Sequence, residues 1–490
     1  MGRILLLIIS TFSVFSINAQ EPYMTGLLPD DGTYETLPRK AELITRDYTV
    51  LPLKYSLLQY CPIARSQDRF STCTSWATAY AARTIAEAIK YGWTDKNKIT
   101  KEAFSPLFVY AQIKEREDYG DNDCQKGTNI WKALQLIKDK GVPKFSQFDV
   151  LCANYIGSDL MSSATPYKID DFFTLFGTMF SDDKEKIRKV KKSLSEDCPV
   201  VIAMHLPSSF FYASNYWDGL DINPNNHGYH AMCVVGYDDT INGGSFHIMN
   251  SWGTSWGNNG FVWVKYSDFA KYVDQAYEVF VRKIARPEPK PEPKPQPKPQ
   301  PKPQPKPEPK PIPQNNFSGE IDLQLATGEK LVSTLDSLNG VYYYRITDNL
   351  VSGTRYRIYL SNNEPAYVYV IGSDLNNNVS KVFPPVDNIS AALTYKQNHV
   401  AIPDETYYIE MDNTHGKDYL CVLYSRNSLD INEIVNKVKQ TSGSFFAKIK
   451  HSIGNRIVPA CDIRYVKDNI IFKAKTDKTI IPTIIEINHK

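Results

Sequence analysis

From Pro287 to Pro313 every second residue is proline, fourteen in all, with Lys, Glu or Gln between them and a single Ile. Such a tract has no apolar face and few backbone donors, so it cannot contribute to a core. It predicts an extended polyproline rod of about 80 Å at roughly 3.1 Å per residue. Whatever folds must therefore fold on either side of it. A recognition ligand for an aromatic groove is the alternative use of such a tract, and a spacer is the simpler one. The 490 residues leave enough chain on both sides for real cores.

The chain starts with Arg3, an apolar run from Ile4 to Phe12 and a small residue at Ala19. That is the layout of an export signal, too short for a membrane span. No later window holds 18 apolar residues, so no membrane span is expected in the mature chain. A secreted or periplasmic location follows, in an oxidising compartment. The formal charge of +2 gives no basic body aimed at nucleic acid. The 31 tyrosines, within an aromatic content of 12%, suit sheet-rich domains.

Before the tract the pattern runs from helices to strands. Trp76, Ala79, Ala82, Ile85, Ala86 and Ile89 recur near helical spacing and predict a helix over 75–91, closed by Gly92. A second helix is expected over 130–138, ended by Gly141 and Pro143. Residues 199–204, 230–235, 245–249 and 261–264 read as strands, with Gly243-Gly244 as a hairpin turn. After the tract, 341–346, 354–360, 366–371, 407–411 and 419–424 read as strands. One helix is expected over 429–439, capped by Asp430 or Ser428. This half predicts a β-sandwich. The fold class is thus α+β followed by a mostly β domain. The expected division is 1–19 signal, 20–50 short N-terminal extension, 51–285 first domain, 286–316 linker and 317–490 second domain.

Two separated segments carry chemistry. The first runs Gln67-Asp-Arg-Phe-Ser-Thr-Cys73-Thr-Ser-Trp76. The second contains Gly228-Tyr-His230-Ala-Met-Cys-Val-Val-Gly236-Tyr and then Asn250-Ser-Trp252-Gly253, with Trp256-Gly257 and Gly260 beyond. They offer a thiol, an imidazole, an amide to orient it and a glutamine donor six residues before the thiol. Nucleophilic hydrolysis of a peptide bond uses these four groups. His227 competes with His230, but it sits among Asn225, Asn226 and Gly228 as in a loop. A zinc reading of His227, His230, His247 and Cys233 lacks the close ligand pairs of structural sites. No bound metal or cofactor is implied.

At these segments the chain resembles the papain-like cysteine peptidases, specifically their bacterial branch, over roughly 51–283. The resemblance implies a two-lobed fold with the site in the cleft between the lobes. It implies Cys73 as nucleophile, His230 as base and then acid, Asn250 holding the imidazole tautomer, Trp252 covering that bond, and Gln67 donating to the oxyanion. It also implies substrate contacts at Gly127, Thr128, Ala203, Ala231 and Trp252. The residues at 128, 203 and 231 are small and uncharged, which favours an apolar side chain two residues before the scissile bond. Protein or peptide substrates are the expected partners.

The sequence departs from the family pattern at Asp68 and Ser71, where glycine is usual, and at Thr74, where an aromatic residue is usual. A lost glycine strains the loop if it supplied positive φ, and Asp68 brings a negative charge near a thiolate. A catalytically silent domain that binds peptides or glycans is therefore the alternative to a cysteine endopeptidase. Family members often carry a long helical prosegment over the cleft. Here 20–50 shows little helical pattern and is expected to be at most a short lid or tether, with cleavage around Arg39-Lys40 or Arg46 optional. The segment Cys124-Gln-Lys-Gly127 resembles the family's cysteine-glycine cleft wall. The family's usual disulfide partner falls at Phe70, so Cys124 is expected to pair with Cys152 instead. Cys421 with Cys461 is a second expectation, and Cys233 is expected as a buried free thiol. The second domain resembles an uncharacterised accessory domain of Bacteroidetes-type secreted proteins, where a cell-surface or protein partner is possible.

Overall fold

A computed structural model describes residues 23–41, 51–120, 124–178, 181–219, 228–283, 316–338, 340–374, 378–394, 399–403 and 407–490. The signal, the whole proline tract, Arg46 and His227 lie outside these residues. Two apolar cores organise the rest, one built from residues between Leu27 and Val281, the other centred on the C-terminal half.

In the first body, Cys73–Ser75, Trp76–Arg83 and Thr84–Tyr91 follow one another without a break, the middle part in π-helical form. Gly92 ends the run at φ 62°, which an L side chain rarely adopts. The spacing predicts an amphipathic helix, but Ser71 through Ile89 are all buried. A helix buried on all sides runs through the middle of a core. Its two buried charges are matched internally, Arg83 Nη1 donating to Glu87 Oε2 at 2.8 Å. The helix Ile130–Lys140 forms as expected, Gly141 closing it onto the Ile137 carbonyl. Pro106–Ile113 is also helical, behind a Ser105 cap. Its run Pro-Leu-Phe-Val-Tyr-Ala is buried throughout, so periodicity could not reveal it.

The other lobe is a mostly antiparallel sheet. Its strands are β1 (Lys54–Ser56), β2 (Asp171–Thr174), β3 (Val200–Leu206), β4 (Tyr216–Trp217), β5 (Gly228–Asp238), β6 (Ser245–Met249), β7 (Phe261–Lys265) and β8 (Val273–Phe280). The order is β2-β8-β3-β5-β6-β7-β4, with β1 on β5. The β5–β6 hairpin turns through Gly243 and Gly244, both at positive φ.

The second body stacks a seven-stranded sheet on a six-stranded one. Gly416–Ser425 lies between Ala366–Ser373 and Ile480–His489, and the last strand also pairs in parallel with Val341–Leu350. The expected strand at 407–411 shrinks to Ile409–Glu410. The expected helix is Ile431–Gln440, with Asp430 Oδ1 capping Glu433 N at 2.8 Å. A second helix, Phe445–Ile453, packs beside it.

Cys124 and Cys152 are bonded, their Cα atoms 5.7 Å apart. The expected Cys421–Cys461 bridge is absent. Cys421 is buried inside the strand Gly416–Ser425, while Cys461 is exposed in the turn Ala460–Asp462, and both are free. Cys233 is a buried free thiol. Among the described residues no helix is long and apolar enough to cross a membrane.

Candidate active site

Cys73 opens the buried helix, and His230 sits near the start of β5. The thiol lies against the backbone of Ala231, the residue after His230. Asn250, at the end of β6, accepts from His230 Nε2 at 2.7 Å with Oδ1. The same oxygen accepts from Ser251 N at 2.7 Å, which fixes the amide orientation. This leaves His230 Nδ1 buried, with no hydrogen-bond partner among the described residues. Trp252 stacks on the imidazole at 4.6 Å between ring centroids. It is held in turn by Phe211 in a stack and Trp256 at a right angle. The Trp252 ring thus shields one face of the imidazole and dries the His230–Asn250 bond.

Gln67 Oε1 accepts from Ser251 Oγ at 2.6 Å, so its amide nitrogen points the other way. That nitrogen donates to the carbonyls of Phe70 and Thr25, at 2.8 and 2.9 Å. Asp68 takes φ 54°, supplying the left-handed backbone where glycine is usual. Its side chain is exposed, with Ser66 Oγ accepting from its backbone N–H at 2.9 Å, so its charge sits in solvent. Ser71 is tied by its N–H to the Cys124 carbonyl at 2.8 Å.

The cleft is occupied by the chain's own N-terminal segment. Tyr23 stacks on Trp252 at 4.9 Å, and Trp252 Nε1 donates to the Met24 carbonyl at 2.8 Å. Thr128 N donates to the Gly26 carbonyl and Leu28 N to the Thr128 carbonyl, each at 2.9 Å, a parallel pairing around Leu27. Leu27 N reaches the Tyr229 carbonyl of the sheet lobe at 3.4 Å. Residues 23–28 therefore bridge both walls as an extended strap. Two glycines permit this approach: a Cβ on Gly26 would stand 2.3 Å from the Ser71 oxygen, and one on Gly127 2.1 Å from the Gly26 oxygen. Within 20–50 the described residues hold one short helix, in line with an expected segment of little helical pattern. Asp31–Thr36 is a helix (α1), capped by Asp30, and Tyr34 buries fully while donating to the Phe176 carbonyl at 2.6 Å.

Of the expected substrate contacts, Gly127 and Thr128 form the wall that the strap pairs with. Ala203 and Ala231 are direct register partners on β3 and β5 and are buried. The Thr128 hydroxyl turns away to the Ile113 carbonyl at 3.3 Å. Sequence reasoning missed Ser251 as the residue orienting Gln67, and expected 20–50 as at most a short lid or tether without foreseeing where it pairs. Gly26 beside Leu27 and Leu28 was the only signal, and it reads equally well as a loop.

Burial sets the electrostatics. It pushes the Cys73 thiol up to about 12, against smaller opposing hydrogen bonds at Ala231 and Thr74. It also pulls His230 down to about 4, against the bond to Asn250. With the strap in place, both groups are neutral at pH 7.

Residues 73–278 match the papain family cysteine protease model. They are a papain-like cysteine-protease domain. Residues 349–428 match a domain of unknown function, DUF4384. An uncharacterised peptidase C1-like protein of Acanthamoeba polyphaga mimivirus is 27% identical over 222 residues, 42% of this chain and 64% of its own length. Cathepsin B-like CP2 of Giardia intestinalis is 29% identical over 192 residues, 36% of this chain and 57% of its own. The chain thus spans about three-fifths of these two relatives. Among solved structures, xylellain, a cysteine protease from Xylella fastidiosa, aligns over 54% of this chain and 98% of its own, at 20% identity and TM-score 0.43. The match over 73–278 falls within the span of the first core and the match over 349–428 within that of the second.

Proposed function

We propose that the papain-like domain is a cysteine endopeptidase, held latent by its own N-terminal strap. The observation that carries this reading is the His230–Asn250 bond at 2.7 Å under Trp252, with the second imidazole nitrogen left over and Cys73 at a helix start against Ala231. Once the strap leaves, water reaches the pair and the desolvation that keeps both groups neutral is relieved. His230 then takes the thiol proton, and the helix N-terminus favours the resulting thiolate. The thiolate attacks a substrate carbonyl to give a thioester, His230 protonates the leaving amine, and water attacks with His230 as base. Gln67 donates to the oxyanion in the direction in which it now donates to Thr25. The silent peptide- or glycan-binding alternative rests on Asp68 and Ser71 and on the carbohydrate-module look of the C-terminal β-rich domain. The carboxylate at 68 is exposed, which weakens the charge part of the first ground, while the positive φ of Asp68 keeps its strain part.

The export signal in the sequence and the Cys124–Cys152 bond support a secreted or periplasmic site of action. The bacterial placement rests on the motif resemblance alone. For selectivity, Leu27 lies buried between Thr128 and Tyr229, close to the wall expected to take an apolar side chain. A peptide library is expected to show Leu, Val, Phe or Tyr two residues before the cut, and a profile dominated by Arg there overturns this part.

The primary test uses protein lacking residues 23–41, with and without Cys73→Ala or His230→Ala. Hydrolysis of an unfolded protein, and stoichiometric reaction of Cys73 with a thiolate-directed epoxide, are expected only with both residues intact. Undiminished hydrolysis in the purified Cys73→Ala protein removes the peptidase assignment.

A further inference from the structure

The far end of the strap is gripped by both bodies at once. Arg39 pairs in parallel with Thr174 of β2 on one side and with Ile389 of the C-terminal domain on the other. Four backbone bonds make this join. Thr174 N donates to the Pro38 carbonyl at 3.0 Å and Lys40 N to the Thr174 carbonyl at 2.9 Å. Arg39 N donates to the Asn388 carbonyl at 2.6 Å, and Ser390 N to the Arg39 carbonyl at 2.7 Å. The strand around Arg39 thus carries the edge of the catalytic sheet across to the accessory domain.

The side chains repeat the pattern. Lys40 Nζ is buried between Glu196 and Glu278, 2.5 Å from each. Thr394 of the C-terminal domain also reaches Glu196, at 3.5 Å. Ala41 packs with Phe173, Cys198 and Phe280 into the C-terminal core. Beside the join, the Tyr367 hydroxyl donates to Asp171 Oδ2 at 2.8 Å, linking β2 to the accessory sheet through a buried bond.

Between this grip and the cleft lies α1, which has no slack. Tyr34 is fully buried against Phe176, Ala276 and Tyr277. Glu35 Oε1 accepts from Thr178 N at 2.6 Å, and Asp31 Oδ1 from Gln275 Nε2 at 2.7 Å. This capped helix, held by its own contacts to the first body, is the covalent link between residues 38–40 and residues 23–28.

We propose that the C-terminal domain is the lock on the strap. While docked, it completes the pairing of residues 38–40 and buries Lys40. Through α1 this holds residues 23–28 in the cleft. Undocking strips two backbone partners from Arg39 and opens the Lys40 site to water, so the strap leaves the cleft more often. The lock rests on the reading of residues 23–28 as a cleft-blocking strap; it does not require that the cleft hydrolyse anything. It also makes cutting at Arg39-Lys40 unfavourable in the docked protein, since both residues are engaged in the join.

The test uses the full chain in two opposite forms. Ser390→Pro combined with Tyr367→Phe removes one backbone bond and one buried side-chain bond of the join, all on the accessory side. Arg39→Cys with Ile389→Cys places a reducible cross-link across the paired positions. Hydrogen exchange is read at the amides of Leu28 and Thr128, which the strap pairing protects, and at residue 39, whose N–H donates to the Asn388 carbonyl and so reports docking. The loosened protein is expected to exchange at Leu28 and Thr128 at least tenfold faster than wild type. The oxidised cross-linked protein is expected to exchange more slowly, reverting on reduction. Unchanged exchange at Leu28 and Thr128 in both proteins overturns the lock. Alkylation of Cys73, located by peptide mass, is followed in the same samples and in protein lacking only residues 23–28, which keeps α1 and Lys40 in place. If exchange responds but Cys73 never alkylates even without the strap, the peptidase reading fails and the lock stands.

Discussion

At the residue scale, His230 is the most informative group. Its Nε2 is committed to Asn250, while burial against Trp252 holds the ring neutral. Burial lowers its pKa to about 4 from an ordinary 6.5, and His247 is lowered to about 4 by burial as well. The sign follows directly. The unfolded chain protonates these rings below pH 6.5, while the folded protein does so only near pH 4. Stability is therefore fully present above about 6.5 and is lost as the pH falls from there through about 4. For His230 alone this amounts to about 2 kcal/mol by pH 5, at 1.36 kcal/mol per pKa unit. Urea denaturation at pH 7 and pH 5 checks it: His230→Gln is expected to lose less stability between the two than wild type. An equal loss would place the effect elsewhere. The residue types at this site were legible from sequence because the motif spells them out. Their protonation states were not, since those depend on what covers them.

At the element scale, the strap and the wall it pairs with are shaped by two glycines. Gly26 sits at φ 124°, with its hydrogen facing the Ser71 carbonyl. Gly26→Ala adds a methyl where a Cβ would be 2.3 Å from that oxygen, in a conformation that costs an L residue roughly 1–2 kcal/mol. The methyl meets the Ser71 backbone, so either that loop or the strap must shift. The substitution is expected to free the strap and raise the rate of Cys73 alkylation at least tenfold, with the thermal transition little changed. A wild-type rate would mean the strap tolerates the methyl by shifting, and that its hold does not depend on this approach. The elements themselves were partly readable. Strands such as 245–249 alternate or run apolar between turn formers and were predictable. The helix Pro106–Ile113 was not, because a segment buried on every side has no periodicity to read. The short helix α1 was not either, because its hold comes from Tyr34 and the Asp30 cap rather than from any apolar face of its own.

At the scale of the whole molecule, the two bodies meet at a buried charge cluster. Lys40 is the cation shared by Glu196 and Glu278, and burial raises the Glu196 carboxyl while Lys40 and Lys192 oppose that shift. Lys40→Met removes that cation and leaves two buried carboxylates facing each other. Breaking a buried pair in this way costs about 3–5 kcal/mol. Denaturant unfolding is expected to show a loss of that size, with partial relief at low pH as the carboxylates take up protons. A change under about 1 kcal/mol would show that Lys192 or water can replace Lys40.

The sequence by itself determined the local chemistry. The proline tract could not join a core, and the Cys73, His230 and Asn250-Ser-Trp252 segments stood out as candidates for one site. The pairing of Cys124 with Cys152 was within reach as well. These are properties of short stretches, in which residue type and spacing carry the physics. Only the tertiary structure decided where residues 23–41 go. Their contacts are with Gln67, Thr128, Trp252, Thr174 and Asn388, distant in the chain, and most are made by backbone groups that every sequence possesses. Backbone pairing at the edge of a sheet leaves no signature in side-chain pattern, so neither the closed cleft nor the join between the two domains could be read before the chain was seen folded.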